Sequence, residues 1–319
     1  MKHEIVVLDG YALNPGDLSW DGLKDFGNLT VYDYTADNQI IDRIQKATIV
    51  LTNKTPLSKP TIDAAQQLAY IGVMATGYDE VDVQYAHEKG IIVTNVPAYS
   101  TYSVAQMTFA LLFEICHRVG HHDREVHTGR WSAQRDFCFW DFPGIELKDK
   151  TIGVVGFGQI GSKVAAIAHL LGMHVLAYTR NPTSKTGVDF VSFVDLEKLF
   201  ASSDIISFHI PASSETKNLV DRTSIAHMKK GVILINTARG TLFDEQAVAE
   251  ALHAGHIQAA GIDVMVQEPP HEQNVLLQAP NCIITPHIAW GTTEARIRCL
   301  EISIMNVKSF VHGISEHVV

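Results

Sequence analysis

Residues 151–161, TIGVVGFGQIG, constrain this chain more than any other stretch of it. A β-branched run enters Gly156-Phe157-Gly158-Gln159-Ile160-Gly161, after which the pattern reads as a helix over 159–171 and a second strand over 173–178. Each glycine in such a βαβ unit has its own physical task. The first closes a tight turn, the second lets the backbone approach a diphosphate, and the third lets the helix pack on the strand, while the helix N-terminus favours the anion. The segment therefore predicts a dinucleotide cradle made by Gly156, Gly158, Gln159, Ile160 and Gly161.

The rest of the chain agrees with a parallel sheet. EIVVLD (4–9), TIVLTN (48–53), YIGVM (70–74) and GIIVTN (90–95) read as strands, with helical patterns such as NQIIDRIQKA (38–47) between some of them. From residue 151 a second series follows: TIGVVG, HVLAY, DIISFHI, VILINT, AAGIDV and CIIT. Strands alternating with helices give an α/β fold. Between the two series, SVAQMTFALLFEIC (103–116) is apolar on nearly every side and so is expected to be buried on nearly every side, in a domain junction or a homodimer interface. After Trp290 a last helix carries Ile297, Leu300, Ile304 and Val307 on a face expected to dock. The predicted architecture is two Rossmann-like parallel-sheet domains. The nucleotide-binding domain (101–290), with a dimerisation helix and arm at its start, is inserted into a flavodoxin-like substrate domain (1–100 and 291–319).

Bulk properties remove several function classes. A formal charge of −10 over 319 residues, with no basic stripe, excludes nucleic-acid and anionic-membrane partners. The opening MKHEIVVLDG reads as a strand rather than an export signal, and no apolar run approaches a membrane span. Cys116, Cys138, Cys282 and Cys299 have no metal-finger spacing, which fits a reducing cytoplasm. No metal site is expected. His117, His121, His122, Asp123 and His127 include a helical i, i+4 pair, but no carboxylate or cysteine set completes it, so a solvated or interface helix end is the reading.

Chemistry gathers where strands end. NTARG (236–240), DVMVQEPP (263–270) and TPHIAW (285–290) each follow a strand of the second series, and in open α/β sheets ligands lie beyond the strands' carboxyl ends. An arginine fork at Arg239 can grip a carboxylate and polarise the carbonyl beside it. A histidine at position 287 titrates in the range needed to hand a proton to that oxygen, and Glu268 beside it would fix its tautomer and favour its charged form. Each residue alone has a structural explanation; three at consecutive strand ends point to reduction of a keto acid.

These segments, with ATGYDEVD (75–82) and NVPAYSTYSVAQ (95–106), make the chain resemble the D-isomer-specific 2-hydroxyacid dehydrogenases over essentially its whole length, and most of all the glycerate dehydrogenase/hydroxypyruvate reductase branch. The resemblance implies that His287 is the acid/base, Glu268 its partner and Arg239 the substrate clamp. It implies that the N–H groups of Thr76 and Gly77 hold the substrate carboxylate and that Asp263 faces the nicotinamide amide. Val104, Pro211, Thr237, Ala238 and His287 would line the cofactor. Hydroxypyruvate, with glyoxylate as a second substrate, is the expected 2-keto acid, and another D-2-hydroxy acid the alternative. A cofactor-sensing scaffold resembling the family's corepressors is the rival from another class; the absence of long disordered tails weighs against it.

Several residues admit two readings. Lys54 either adds positive charge over the carboxylate or is a solvated lysine, and Ser100 with Tyr99 offers hydrogen bonds to a hydroxymethyl tail. Trp131, Phe137, Phe139 and Trp140 either pack as core beneath the apolar helix or send Trp140 into a partner's pocket, as the resemblance suggests.

The cofactor is NAD(P), with NADP(H) at least tolerated. In YTRN (178–181) Thr179 stands where an acid would bond an NAD ribose and repel a 2′-phosphate. Arg180 is either a surface charge or the phosphate's partner. NADPH is therefore expected to serve at least as well as NADH, and Thr179→Asp to shift kcat/KM toward NADH by roughly 10- to 150-fold, equivalent to one charge-assisted hydrogen bond of about 1.5–3 kcal/mol. A strong NADH preference in the unaltered chain would refute this expectation.

Overall fold

A computed structural model describes residues 2–181 and 188–319. The chain separates into two compact units, Met1–Ser100 with Gly291–Val319, and Thr101–Trp290. The first unit is built on β1 (His3–Val7), β2 (Gly27–Val31), β3 (Ile49–Thr52), β4 (Tyr70–Val73) and β5 (Ile92–Thr94), connected through the short helices α1 (Asp21–Lys24), α2 (Ile40–Ile44), α3 (Lys59–Ala64) and α4 (Val83–Glu88). The strands are parallel in the order β2-β1-β3-β4-β5, the flavodoxin-like arrangement. β3 and β4 are buried at every residue, because central parallel strands are covered on both faces.

The second unit opens with α5 (Thr101–His117) and α6 (Val119–His127). Its sheet contains β6 (Thr151–Val155), β7 (His174–Tyr178), β8 (Val191–Phe193), β9 (Ile205–Phe208), β10 (Val232–Asn236), β11 (Ile257–Ile262) and β12 (Cys282–Ile284). The helices between them are α7 (Gln159–Leu170), α8 (Leu196–Ser202), α9 (Arg222–His227), α10 (Glu245–His253) and α11 (Val275–Gln278). All neighbours run parallel, in the order β12-β11-β10-β9-β6-β7-β8. Counted from β6, this is the doubly wound Rossmann order, and chain direction reverses across the sheet at the β6–β9 pair. A helix, α12 (Thr293–Val311), then completes the first unit.

Four features differ from the sequence reading. β2 and β8 were not among the recognised strands; both are short edge strands, only partly buried, so neither shows the apolar run of a central strand. α5 is buried along most of its surface, but Tyr102, Gln106, Ala110 and Phe113 form an exposed stripe on this unit. The docking face of α12 is only partly the expected aliphatic one: Leu300 and Val307 are covered, but Ile304 is half-buried and Ile297 exposed, while Ala295, Arg296, Cys299, Ser303 and Asn306 are covered as well. Polar groups can face inward there because partners meet them, as Arg296 shows by donating to both carboxylate oxygens of Asp17 at 2.7 and 2.6 Å. Finally, the aromatic arm is not core: Phe137 is 88% and Trp140 73% exposed.

His209, just past β9, lies beneath the glycine turn. Its Nε2 pairs with Ser207 Oγ at 2.8 Å, and its Nδ1 is sealed from solvent with no partner among the described residues. Burial lowers the imidazole pKa to about 3. Between about 3 and the unfolded value of about 6.5 the unfolded chain binds a proton that the folded chain does not. Stability from this group is thus present above the unfolded value and lost as pH falls toward the folded one. His209→Asn should flatten the acid limb of a Tm-against-pH curve, and an unchanged limb would show that His209 does not govern it.

Candidate active site

The glycine turn has the form its sequence requires. Gly156 sits at φ +98°, with its N–H donating to Tyr178 O at 2.9 Å, and a Cβ there would lie 2.5 Å from the His209 carbonyl oxygen. At Gly161 a Cβ would come within 1.9 Å of Gly156 O, so helix and strand touch backbone to backbone. Gly158, which caps α7, has nothing within 4 Å of its missing Cβ. Two glycines are thus needed by the fold, whereas the third leaves an open approach to a helix N-terminus, as a diphosphate needs. Gln159 is exposed and Ile160 half-buried at the same turn. Thr179 and Arg180 follow β7, one strand away, Thr179 half-buried and Arg180 exposed. Pro211 follows β9, and its carbonyl accepts from Thr216 Oγ1 at 2.9 Å.

Three neighbouring strands, β10, β11 and β12, lead into the segments that carry Arg239, Glu268 and His287. Beyond β10 the Asn236 side chain bridges the turn. Its Nδ2 donates to Arg239 O at 2.9 Å, its Oδ1 accepts from Ala238 N–H at 3.1 Å, and Arg239 Nη1 donates to Ala238 O at 2.9 Å. Gly240 then passes so close to the next segment that a Cβ would lie 2.0 Å from the Met265 carbonyl carbon. Only glycine permits this approach, which brings the Arg239 turn against the segment carrying Glu268. Glu268 Oε1 accepts from Met265 N–H at 2.9 Å, and its Oε2 faces His287 Nδ1 at 2.5 Å. A carboxylate on Nδ1 leaves Nε2 as the imidazole's other hydrogen-bonding atom.

His287 adopts φ +54°, a left-handed conformation unusual for a side chain of this size. The group that holds it there is Asp263. Its backbone oxygen accepts from His287 N–H at 2.8 Å; Oδ1 accepts from Thr285 Oγ1 at 2.6 Å and Ile288 N–H at 2.9 Å; Oδ2 accepts from Ala289 N–H at 2.8 Å. Burial raises the Asp263 pKa, against these hydrogen bonds and the nearby His287 charge. The same loop is fastened by α5, where Ser103 Oγ donates to Ala289 O at 2.5 Å. Thr108 Oγ1 lies 3.3 Å from Thr237 Oγ1, and Val104 is buried between them along the helix. The sequence reading did not single out Asn236, Ser103 or Thr108. The available signal was polar residues at buried positions of otherwise apolar elements.

On the first unit, Asp9 accepts from the N–H groups of Asn53, Lys54 and Thr55 at 2.8, 2.5 and 2.7 Å, which fixes the turn carrying Lys54. Lys54 Nζ is half exposed and 4.0 Å from Glu80 Oε1. Thr76 and Gly77 form the turn after β4, and Tyr99 and Ser100 are buried. The histidine run holds no metal-type cluster among the described residues. One carboxylate does meet the run: His121 pairs with Asp141 at 2.6 Å, and Asp141 is also gripped by Arg130 at 2.6 and 2.7 Å. The histidines thus pin the arm, and these contacts keep the Asp141 carboxyl well below the usual range.

Comparison with known proteins agrees with this fold. Residues 109–289 match the family model for the D-isomer specific 2-hydroxyacid dehydrogenase NAD binding domain. The chain is 47% identical to a hydroxypyruvate reductase of Blautia hydrogenotrophica, with 99% of each chain covered. It is 38% identical to a glycerate dehydrogenase of Methylorubrum extorquens, covering 100% of this chain and 99% of the relative. Among solved structures it resembles an acyclic imino acid reductase in complex with NADPH and D-Arg, at 31% identity and a TM-score of 0.86 with 99% of each chain covered. The chain belongs to the D-isomer specific 2-hydroxyacid dehydrogenase family. It is an NAD(P)-dependent oxidoreductase.

If Asp263 is what keeps the 285–289 loop in place, Asp263→Asn puts a donor where the loop presents an N–H or hydroxyl. Leaving such a buried group unpaired costs about 1–3 kcal/mol. The variant should show a lowered Tm and a kcat reduced well beyond any change in dinucleotide affinity. Wild-type kcat in a folded Asp263→Asn protein would remove Asp263 from this role.

Proposed function

We propose that this enzyme reduces hydroxypyruvate to D-glycerate, with glyoxylate as a second substrate, using NADPH at least as well as NADH. The observation that carries the proposal is the His287–Glu268 pair, set by Asp263 beside the Asn236-braced Arg239 turn. The hydride comes from the reduced nicotinamide. His287, its Nδ1 engaged by Glu268, gives the Nε2 proton to the carbonyl oxygen as that oxygen gains charge. Arg239 grips the carboxylate as a planar fork and polarises the adjacent carbonyl; on the first unit, the N–H groups of Thr76 and Gly77 are the carboxylate donors that the family resemblance implies. Names of the relatives favour hydroxypyruvate, as does the polar pairing of Tyr99 and Ser100, suited to a hydroxymethyl tail.

The exposed α5 stripe and the aromatic arm support a homodimer, since a monomer rarely leaves such a set of apolar side chains uncovered. In a dimer, Trp140 is a candidate to reach a partner's substrate pocket. Four free cysteines suit a cytoplasmic setting, and no helix among the described residues is long and apolar enough to cross a membrane.

Oxidation of NADPH and NADH with a panel of 2-keto acids tests the substrate and cofactor together; turnover of bulky branched keto acids in preference to hydroxypyruvate would overturn the reading. His287→Ala should lower kcat by about 100-fold or more with little change in dinucleotide affinity. Arg239→Lys keeps the charge but loses the fork, so KM should rise and kcat fall. Light scattering should give a dimer, and Ala110→Glu should dissociate it; a monomer at micromolar concentration would refute the dimer.

A further inference from the structure

The outer edge of the first unit's sheet is paired beyond its five parallel strands. Thr94 and Val318 form an antiparallel bridge, Asn95 N–H donates to His317 O at 3.1 Å, and Val319 N–H donates to Val93 O at 3.1 Å. Residues 317–319 thereby cover the free edge of β5, which would otherwise present unpaired backbone groups.

A chain of side-chain hydrogen bonds begins at this segment. His317 Nδ1 lies 2.8 Å from Asn306 Oδ1; an amide oxygen only accepts, so the imidazole donates from Nδ1. Asn306, buried on α12, donates from Nδ2 to Asn95 O at 2.9 Å. Asn95 Nδ2 donates in turn to Thr76 O at 2.8 Å, and Thr76 Oγ1 donates to Val96 O at 2.8 Å. Thr76 O and Gly77 N–H belong to one planar peptide unit, so fixing the carbonyl fixes the direction in which the N–H points. Among the described residues no acceptor takes the N–H of Thr76 or of Gly77. The Gly77 donor is therefore oriented by this chain of bonds, while the Thr76 N–H lies in the preceding peptide, whose carbonyl, Ala75 O, accepts from Val96 N–H at 2.9 Å. His317 itself is held at φ +54°, a conformation that persists for a non-glycine residue when its surroundings over-determine it.

We propose that His317 is a positioning residue which, through Asn306 and Asn95, orients the Thr76–Gly77 peptide for the carboxylate of the 2-keto acid. This rests on the reading of that turn as a carboxylate donor. The strand-edge pairing and the side-chain chain act together: the edge bonds seat His317, and His317 completes the hydrogen bonding of Asn306, which otherwise has a buried acceptor unmet.

Two readouts separate the coupling from the site. In His317→Ala, amide hydrogen exchange at residues 74–78 should quicken, and KM for hydroxypyruvate should rise roughly three- to tenfold, the size of one lost neutral hydrogen bond, with kcat and NADPH affinity little changed. His317→Asn places an amide N–H near the former Nδ1 and tolerates positive φ, so it should restore both readouts. Asn306→Ala should raise KM similarly, and the double variant should raise it no further than either alone. Unchanged exchange at 74–78 in folded His317→Ala overturns the relay. Faster exchange with unchanged KM refutes instead the reading of Thr76 and Gly77 as carboxylate donors, and the proposal falls with it.

Discussion

The Asp263 carboxylate is the constraint on which the reactive end of this protein depends. It sits at the end of β11 with its acceptor capacity turned toward the loop after β12, meeting one hydroxyl and two backbone N–H groups. That loop must carry His287 in a left-handed conformation, which a residue bearing a Cβ adopts at a cost, and the hydrogen bonds offset it. Asp263 is expected by family resemblance to face the nicotinamide amide; its observed bonds give it a structural task, holding the loop after β12. The loop is fastened a second time from α5, by Ser103.

The same economy of position governs Arg239. Asn236 braces the turn from within, and the missing side chain of Gly240 lets the turn rest on Met265. The two contacts bring a guanidinium-bearing turn against the segment whose Glu268 pairs with His287. A substitution at Gly240 would act on the site without touching any reacting atom. On the first unit the logic recurs at smaller scale: Asp9 fixes the Lys54 turn through three backbone N–H groups, and Asn95 fixes the turn after β4 through one carbonyl.

Much of this was legible in the residues. Central parallel strands are buried on both faces, so they appear as apolar runs, and β6 with its glycines announced a βαβ unit. Edge strands β2 and β8 escaped notice because partial exposure removes that signal. On α12 aliphatic spacing finds Leu300 and Val307 but not the whole face, for Ile297 faces outward while Arg296 and Asn306 face inward. Periodicity registers hydrophobicity, and it is blind to a polar face whose partners come from distant loops.

The sequence by itself determined the doubly wound class, the glycine turn and the placing of Arg239, Glu268 and His287 after three successive strands, because local pattern and strand order fix these. Only the tertiary structure decided how those residues are held. The partners of His287, Arg239 and Thr76 lie 19 or more residues away or across a turn whose geometry side-chain amides set, as with Glu268 to His287 and Asn95 to Thr76. Hydrogen bonds of that kind depend on distance and angle rather than on neighbourhood along the chain, so no periodicity encodes them. The tertiary structure also decided that Phe137 and Trp140 of the arm are left uncovered on this unit rather than packed in its core, since burial belongs to the folded surface and not to the residue.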